Sequence, residues 1–421
     1  MRWSLRLGYI RGVPVEVHWL FAGMLLWAGL ESWGSNVGWG ATLTVFIAPA
    51  EWTLGAHTLL DGLGSAFTTV GLLILVFACV LVHEIAHTVQ AQALGIPVRR
   101  IWLLPFGGLA ELSRLPEQPK DELRVTAAGP LANLGLTLVF GALAAIFLMA
   151  GPQTLPPRDA MRLALRDAPL QPLGLCLYLA FANFGLTVFN VLPAFPMDGA
   201  RMLRSGLALF LSRLIATRFV AGLGWLAGSA LIVAGIFTPR LWGFGLSIGL
   251  VLFGAFFIVA GGFEETLEKT RTALRGISAR VAVRQPTWTL APTDPVTPAL
   301  SSLLFSLSGQ TMLPVVVGAR LVGMLTQKDV SAALKTVNGN REAYTVAHLM
   351  QTRFPYIRAD EDLWRAQQLL ANTSAGALPV VEGEALQGVL TPDDIRAARI
   401  KSPSALRVEA PNFISQGDLI L

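Results

Sequence analysis

The segment from Ala66 to Leu94 reads AFTTVGLLILVFACVLVHEIAHTVQAQAL. It carries no charged side chain from Phe67 to Val82, and it exceeds the roughly 20 apolar residues that a helix needs to cross the hydrocarbon core of a bilayer. Two histidines and a glutamate follow within the same segment. Because ionisable groups inside a membrane are costly unless they face a polar cavity or a metal, we predict a membrane-spanning helix that carries a functional site.

The composition of the whole chain also indicates a membrane protein. The 421 residues are 53% hydrophobic and only 14% charged, whereas a soluble chain is about 25% charged. The charges are unevenly distributed, since no Lys or Arg occurs from Gly12 to Val98 but charged residues are frequent after Phe263. We therefore predict a membrane part followed by a soluble part.

Several apolar segments approach the length of a membrane-spanning helix. A shorter patch, Ala41 to Ala50, suits an interfacial or re-entrant segment better than a span. The predicted spans number about six and cover Val17 to Trp33, Ala66 to Leu94, Val125 to Ala150, Leu173 to Leu192, Phe219 to Phe237 and Trp242 to Gly262.

Basic residues cluster on one side of these spans: before the first, between the second and third, and between the fourth and fifth. Loops rich in Lys and Arg face the cytoplasm, so we predict a multi-pass protein of the cell membrane with both termini in the cytoplasm. The net charge of +5 is explained by such loops. The sequence has no basic stripe with interleaved aromatic residues, so we predict no nucleic-acid partner. The expected partner is the lipid bilayer.

The soluble part contains an internal repeat. The residues LPVV at 313–316 recur at 378–381, and GMLTQKDV at 323–330 recurs at the same offset as GVLTPDDI at 388–395. Each unit is predicted as strand, helix, strand, strand, helix, with the helices at Pro298 to Ser308 and Leu363 to Asn372. Neither unit buries an apolar face well alone, so we expect one pseudo-symmetric module.

The pattern His83-Glu84-Ile85-Ala86-His87 predicts a metal site. Residues four apart lie on one face of a helix, so the two imidazoles can share one ion, and Glu84 can reach a metal-bound water as a general base. A hydrolytic zinc site needs a third protein ligand. Asp198 is the best candidate, because it lies at a matching membrane depth and Pro193 and Pro196 break the helix before it.

Two structural alternatives remain open for these residues. The histidines could simply face a core or a pore with Glu84 as their partner, and Asp198 could merely cap a helix from Ala200 to Ser212.

These motifs resemble those of the site-2 protease family of intramembrane zinc metalloproteases. The resemblance rests on the His-Glu-x-x-His helix, on Asn-x-x-Pro-x-x-Pro-x-Asp-Gly at 190–199, on Ala-Gly-Pro-Leu-Ala-Asn at 128–133 and on Pro-Phe-Gly-Gly-Leu at 105–109. It implies one Zn2+ per chain, held by His83, His87 and Asp198, with Glu84 as the catalytic base. Asn133 and Asn190 would donate hydrogen bonds to the oxyanion or the substrate backbone, although an Asn within a span can also serve only to join helices.

The repeats resemble paired CBS modules, the Bateman arrangement, in which Thr and Asp can bind the phosphate and ribose of an adenine nucleotide. The matching residues are Thr326, Asp329, Thr391 and Asp394. Many such modules only dimerise, so nucleotide binding and a homodimer are both open. The predicted domains are a transmembrane metalloprotease domain at 1–262, a helical connector at 263–279, CBS repeats at 280–337 and 343–400, and a tail at 401–421.

The expected fold is therefore a polytopic α-helical membrane domain followed by a cytoplasmic α/β module. The expected function is regulated intramembrane proteolysis of a membrane-spanning protein by a zinc endopeptidase, modulated through the CBS pair. An extended substrate needs backbone partners, and the stretch Arg100 to Leu112 could be a hairpin with an edge for strand addition or a membrane-skimming loop. The alternative function is a CBS-regulated ion channel or transporter with an ion path lined by His83, Glu84, His87 and Asp198.

Overall fold

The computed structural model describes residues 4–34, 59–105, 107–113, 116–150, 171–242, 248–286, 288–295, 312–326, 328–330, 345–372 and 376–401. The chain divides into two compact units, Met1–Glu265 and Thr266–Leu421. The predicted patch at 41–50, the predicted helix at 298–308 and the tail after residue 401 lie outside the described residues.

The first unit contains a four-stranded sheet with the strand order β1-β2-β3-β4. The strands are β1 (Ser4–Ile10), β2 (Val13–His18), β3 (Val98–Leu104) and β4 (Gly107–Leu112). β2 and β3 are parallel, whereas the β1–β2 and β3–β4 pairs are antiparallel. The stretch Arg100 to Leu112 thus forms a hairpin, and its strand β4 lies at an edge of the sheet.

The helices of this unit are α1 (Trp19–Gly34), α2 (Leu59–Ala93), α3 (Pro119–Ala150), α4 (Pro172–Val191), α5 (Asp198–Leu207), α6 (Arg213–Trp242) and α7 (Ile248–Leu274). Five of them, α2, α3, α4, α6 and α7, are long and apolar enough to cross a membrane. The boundary between the two units falls within α7. The prediction of a polytopic helical membrane domain is confirmed.

The first predicted span differs from the structure. Val17 and His18 belong to β2, where they pair with Leu5 and Ser4 of β1, and the helix begins only at Trp19. Strand pairing of Val17 and His18 therefore moves the start of the helix two residues beyond the predicted start.

Several helices begin before the predicted apolar segments. α3 begins at Pro119 and not at Val125, because a polar first turn with Asp121 and Glu122 is stabilised by the positive end of the helix dipole. α6 likewise begins at Arg213 and not at Phe219.

The segment of α2 before the His-Glu-x-x-His pattern packs in two apolar clusters. On one side, α2 packs against α4 through Leu72, Val76 and Cys79, which contact Tyr178 and Ala182. On the other side, Val80 packs against the sheet, whose buried residues in this cluster are Val13, Val15, Ile101 and Leu103. The sheet and the helices therefore meet along the turn that precedes His83.

The second unit contains a five-stranded sheet with the order β5-β6-β9-β8-β7. Its elements are β5 (Met312–Val317), β6 (Arg320–Thr326), α8 (Val346–Leu349), β7 (Ile357–Arg358), α9 (Leu363–Asn372), β8 (Leu378–Glu382), β9 (Ala385–Leu390) and α10 (Pro392–Lys401). The helix predicted at Leu363 to Asn372 is present.

The two hairpins of this sheet have the same register. Leu313 pairs with Leu325 in the first hairpin, as Leu378 pairs with Leu390 in the second, and each hairpin has an irregularity after its first valine. All four leucines are fully or almost fully buried. The internal repeat is thus a structural repeat, and the prediction of an α/β module is confirmed.

Candidate metal centre

The two histidines of α2 face each other across one helical turn. His83 Nε2 and His87 Nε2 lie 3.1 Å apart, and the ring centroids are separated by 4.7 Å in an edge-to-face arrangement. Both side chains are buried. The four-residue spacing therefore brings two nitrogen ligands to one point inside the helical bundle.

Asp198 completes a group of three ligands. Its Oδ2 atom lies 3.1 Å from His83 Nε2 and 3.2 Å from His87 Nε2, and the three ligand atoms all lie within 4.8 Å of one another. Ligand atoms about 2.0–2.1 Å from a tetrahedral zinc ion are roughly 3.3 Å apart. The donor set and its spacing thus fit one zinc ion, and within the described ranges no other such group of His, Cys, Asp and Glu residues is found.

A backbone carbonyl orients His87. Its Nδ1 lies 2.7 Å from the carbonyl oxygen of Val125 on α3, and this oxygen can only accept a hydrogen bond. The proton therefore resides on Nδ1, which leaves Nε2 as the basic nitrogen facing Asp198 and His83. Metal-binding histidines commonly use their second nitrogen in this way.

Two glycines form close walls around the site. A Cβ atom on Gly129 of α3 would lie 2.3 Å from His87 Nε2 and 2.5 Å from His83 Nε2. A Cβ atom on Gly108 of β4 would lie 2.3 Å from Cγ of Glu84. At Gly129, in the 128–133 motif, the backbone passes directly over the two imidazoles. At Gly108, in the 105–109 motif, it passes directly over the Glu84 side chain. Neither position therefore has room for a side chain.

Glu84 is held by the edge strand. Its side chain is buried, and Oε2 accepts a hydrogen bond of 2.9 Å from the backbone N–H of Ala110 in β4. This N–H points towards α2, so it is not available to β3. The outer edge of β4 therefore faces the metal centre.

Asp198 reaches the histidines because α5 begins at this residue. A Cβ on Gly199 would lie 2.0 Å from the carbonyl oxygen of Val191, so only glycine lets the first turn of α5 pack against the end of α4. The residue before the helix, Met197, makes no side-chain cap. The alternative of a cap for a helix to Ser212 does not describe this structure, since the Asp198 carboxylate contacts the histidines and α5 ends at Leu207.

The two asparagines differ in their contacts. Asn133 lies one turn beyond Gly129 on α3 and is buried, and its Oδ1 has no hydrogen-bond partner among the described residues. Asn190 donates from Nδ2 to the carbonyl oxygen of Leu186 in its own helix at 2.9 Å. Neither contact assigns a catalytic role, and both roles stay predictions.

The Thr and Asp residues of the repeats pair locally. Thr326 donates from its N–H and hydroxyl to Asp329 Oδ2 at 3.0 and 2.6 Å, and Asp329 N–H donates back to the hydroxyl at 3.2 Å. Thr391 and Asp394 repeat these bonds at 3.0, 2.7 and 3.3 Å. This is the reciprocal capping arrangement of a helix N-terminus.

Sequence reasoning missed a buried ion pair beside the site. Glu122 of α3 and Arg204 of α5 contact each other and are almost completely buried. Arg204 belongs to the basic residues between the fourth and fifth predicted spans, which indicated only the membrane topology. Glu122 lies three residues before the third predicted span, and a charge so close to an apolar segment was the available clue that a partner is required.

A histidine pair and a carboxylate, with a glutamate beside them, lie among helices long and apolar enough to cross a membrane, and they have the donor set and the base that a metallopeptidase centre requires. Comparison with known proteins agrees with this class. Residues 71–235 match the model of Peptidase family M50, and residues 346–401 match that of the CBS domain. The two parts of the chain are thus similar to an M50 peptidase and to a CBS domain, and the resemblance to site-2 proteases with CBS modules is confirmed.

The similarity to individual relatives extends over nearly the full length of the chain. A zinc metalloprotease of Methanocaldococcus jannaschii is 26% identical over 94% of this chain and 96% of its own length. Rip3 of Mycobacterium tuberculosis, named as a candidate zinc metalloprotease, is 27% identical over 98% of this chain and 96% of its own length. The solved site-2 protease of M. jannaschii covers 62% of this chain and 95% of its own at 25% identity, and its TM-score of 0.36 is too low for a comparison of the folds.

Replacement of Gly129 tests the closeness of α3 to the ligands. Gly129→Ala is expected to lower the affinity for Zn2+ by about tenfold or more, because the methyl group would occupy the space between the two imidazoles. The affinity is measured on the purified protein in detergent by competition with a chromophoric chelator.

The matched control is Gly135→Ala on the same helix, where an added Cβ meets nothing within 4 Å. Equal affinities of the two variants would show that α3 does not line the metal site.

Proposed function

We propose that this chain is an intramembrane zinc endopeptidase that cleaves a membrane-spanning protein in regulated intramembrane proteolysis. The observation that carries the proposal is the meeting of His83, His87 and Asp198 among helices that are long and apolar enough to span a bilayer. The M50 match supports a peptidase, and it disfavours the alternative of a channel or transporter.

The three ligands would hold one Zn2+ per chain. When bound, zinc supplies a Lewis acid that polarises a carbonyl oxygen and increases the acidity of a water molecule. Nitrogen and carboxylate donors suit this ion, and the relatives named as zinc metalloproteases support the choice.

Glu84 is the proposed general base. Its Oε2 is fixed by the Ala110 N–H, so the other carboxylate oxygen is the one that accepts a proton from the attacking water and later delivers it to the leaving amine. Burial excludes bulk water from this carboxylate and keeps its proton transfers directed to the substrate.

The proposed roles of the asparagines follow from their amide groups, which can donate hydrogen bonds. Asn133 lies one turn from Gly129, and its amide could donate to the oxyanion or to the substrate backbone. Asn190 uses one amide proton within α4 and retains a second one for the substrate.

The edge strand β4 is the proposed docking site for the substrate. The peptide bonds of a helical substrate are enclosed in hydrogen bonds, so the substrate must first become extended and then needs new backbone partners. β4 pairs with β3 on one side, and its other edge faces Glu84. Addition of a strand there would place a substrate peptide bond beside the base and the metal.

The location and the regulation belong to the same proposal. The distribution of basic residues supports a cell-membrane protein with both termini, and therefore the CBS pair, in the cytoplasm.

The Thr and Asp residues at 326, 329, 391 and 394 are the proposed contacts for an adenine nucleotide. A homodimer through the CBS pair is proposed as well. Calorimetric titration with AMP tests the first, and the absence of a heat of binding would exclude it.

The direct test of the proposed function is Glu84→Gln. The variant is expected to retain zinc, because the three ligands are intact, and to lose cleavage by about a hundredfold or more, because the base is gone. Zinc content and cleavage of single-span membrane proteins are measured on the purified protein in detergent. Cleavage at the wild-type rate by the zinc-loaded variant would exclude Glu84 as the base.

A second prediction concerns the hold of β4 on Glu84. Ala110→Pro removes the N–H that bonds to the carboxylate without removing a bond to β3, so cleavage is expected to fall by about tenfold while zinc content is unchanged. Ala110→Gly keeps the N–H and is the control. If both variants cleave equally well, this hydrogen bond does not position the base.

A further inference from the structure

A buried cluster of charges lies next to the metal centre. Arg204 of α5 contacts the carboxylate of Glu122 on α3, and its Nη1 donates to Glu264 Oε2 on α7 at 3.1 Å. Arg213 at the start of α6 lies 2.5 Å from the second carboxylate oxygen of Glu122. We call these four residues the Arg204 cluster. It connects four helices, α3, α5, α6 and α7.

Packing alone does not account for such a cluster. Arg204 is 2% exposed and Glu122 is 3% exposed, so both have lost their hydration. Apolar side chains of similar volume often give equal or greater stability than a buried ion pair. The charges instead fix the relative orientation of the helices, because the planar guanidinium bonds two carboxylates at fixed angles.

Arg204 holds the helix that carries the third metal ligand. α5 is only 10 residues long and begins at Asp198. The guanidinium of Arg204 also lies over the ring of Phe195, at 5.3 Å from its centroid, and this ring is fully buried in the loop that leads to Asp198. One side chain therefore contacts the segment before the ligand and anchors the helix after it.

The other half of the ion pair belongs to the helix that orients His87. Glu122 precedes Val125 by less than one turn of α3, and the Val125 carbonyl lies 2.7 Å from His87 Nδ1. Gly129 of the same helix contacts both histidines. α3 thus touches the histidine half of the site directly and is joined to the Asp198 half through Glu122 and Arg204.

We propose that Arg204 and Glu122 are positioning residues whose ion pair holds α5 against α3, so that Asp198 meets His83 and His87 at the distance that zinc requires. This inference rests on the proposed zinc site but not on proteolysis, so metal binding can test it without a substrate.

The test compares Arg204→Met, Arg204→Lys and Glu122→Gln with the wild type in detergent. Zinc affinity is measured by chelator competition, and the absorption spectrum of the Co2+-substituted protein reports the coordination geometry. Arg204→Met and Glu122→Gln are expected to bind zinc about ten- to hundredfold more weakly and to give a weaker cobalt spectrum, as for other supports of metal ligands. The zinc affinity of Arg204→Lys is expected to lie between that of the wild type and that of Arg204→Met, since an ammonium group cannot bond both carboxylates in the same geometry.

The control is Arg218→Gln, which removes an ion pair of 3.4 Å to Glu265 between α6 and α7. It is expected to keep the wild-type affinity and spectrum. A purely structural role would lower the melting temperature of the variants but would leave both readouts unchanged in whichever variants fold. Wild-type affinity and spectrum in any folded variant of Arg204 or Glu122 would overturn the inference, whereas failure of the wild type to bind zinc would instead overturn the proposed function.

Discussion

A polar group buried among membrane helices must find its partner within the protein, and this constraint governs the first unit. α2 carries two histidines and a glutamate in an apolar sequence, and the structure satisfies them from three directions. The Val125 carbonyl of α3 bonds to His87, and the Ala110 N–H of β4 bonds to Glu84. The Asp198 carboxylate of α5 contacts both imidazoles. The sheet, the third helix and the short fifth helix are therefore placed where they contact these three polar side chains of α2.

This arrangement explains why small residues surround the site. The backbone of α3 passes so close to the imidazoles, and that of β4 so close to the glutamate, that only glycine fits at 129 and 108. The same crowding recurs at Gly199, where α5 packs against the end of α4. Close backbone approach replaces side-chain packing at each of these three contacts. The resulting centre offers ligands within hydrogen-bond distance of one another.

The sequence predicted best what depends on local spacing. The four-residue interval of the histidines is a property of one helix, and the repeat at 313–330 and 378–395 is a repeat of the amino-acid sequence itself. Both could therefore be predicted without knowing the fold. Asp198 was found from its membrane depth and from the helix break at Pro193 and Pro196. The first span was predicted to begin two residues too early, because hydropathy does not distinguish a short buried strand from a helix, and the pairing of Val17 with Leu103 joins segments far apart in the chain. The partnership of Glu122 with Arg204 was unreadable for the same reason, since nothing local links the two positions.

The central claim is that two distant motifs supply the ligands of one zinc ion. X-ray absorption at the zinc edge, recorded on the purified protein in detergent, tests it most directly. The account predicts stoichiometric zinc with two imidazole nitrogens at about 2.0–2.1 Å, oxygen at about 2.0–2.2 Å and no sulfur. A spectrum without imidazole scattering, or a folded protein that retains no zinc, would contradict it.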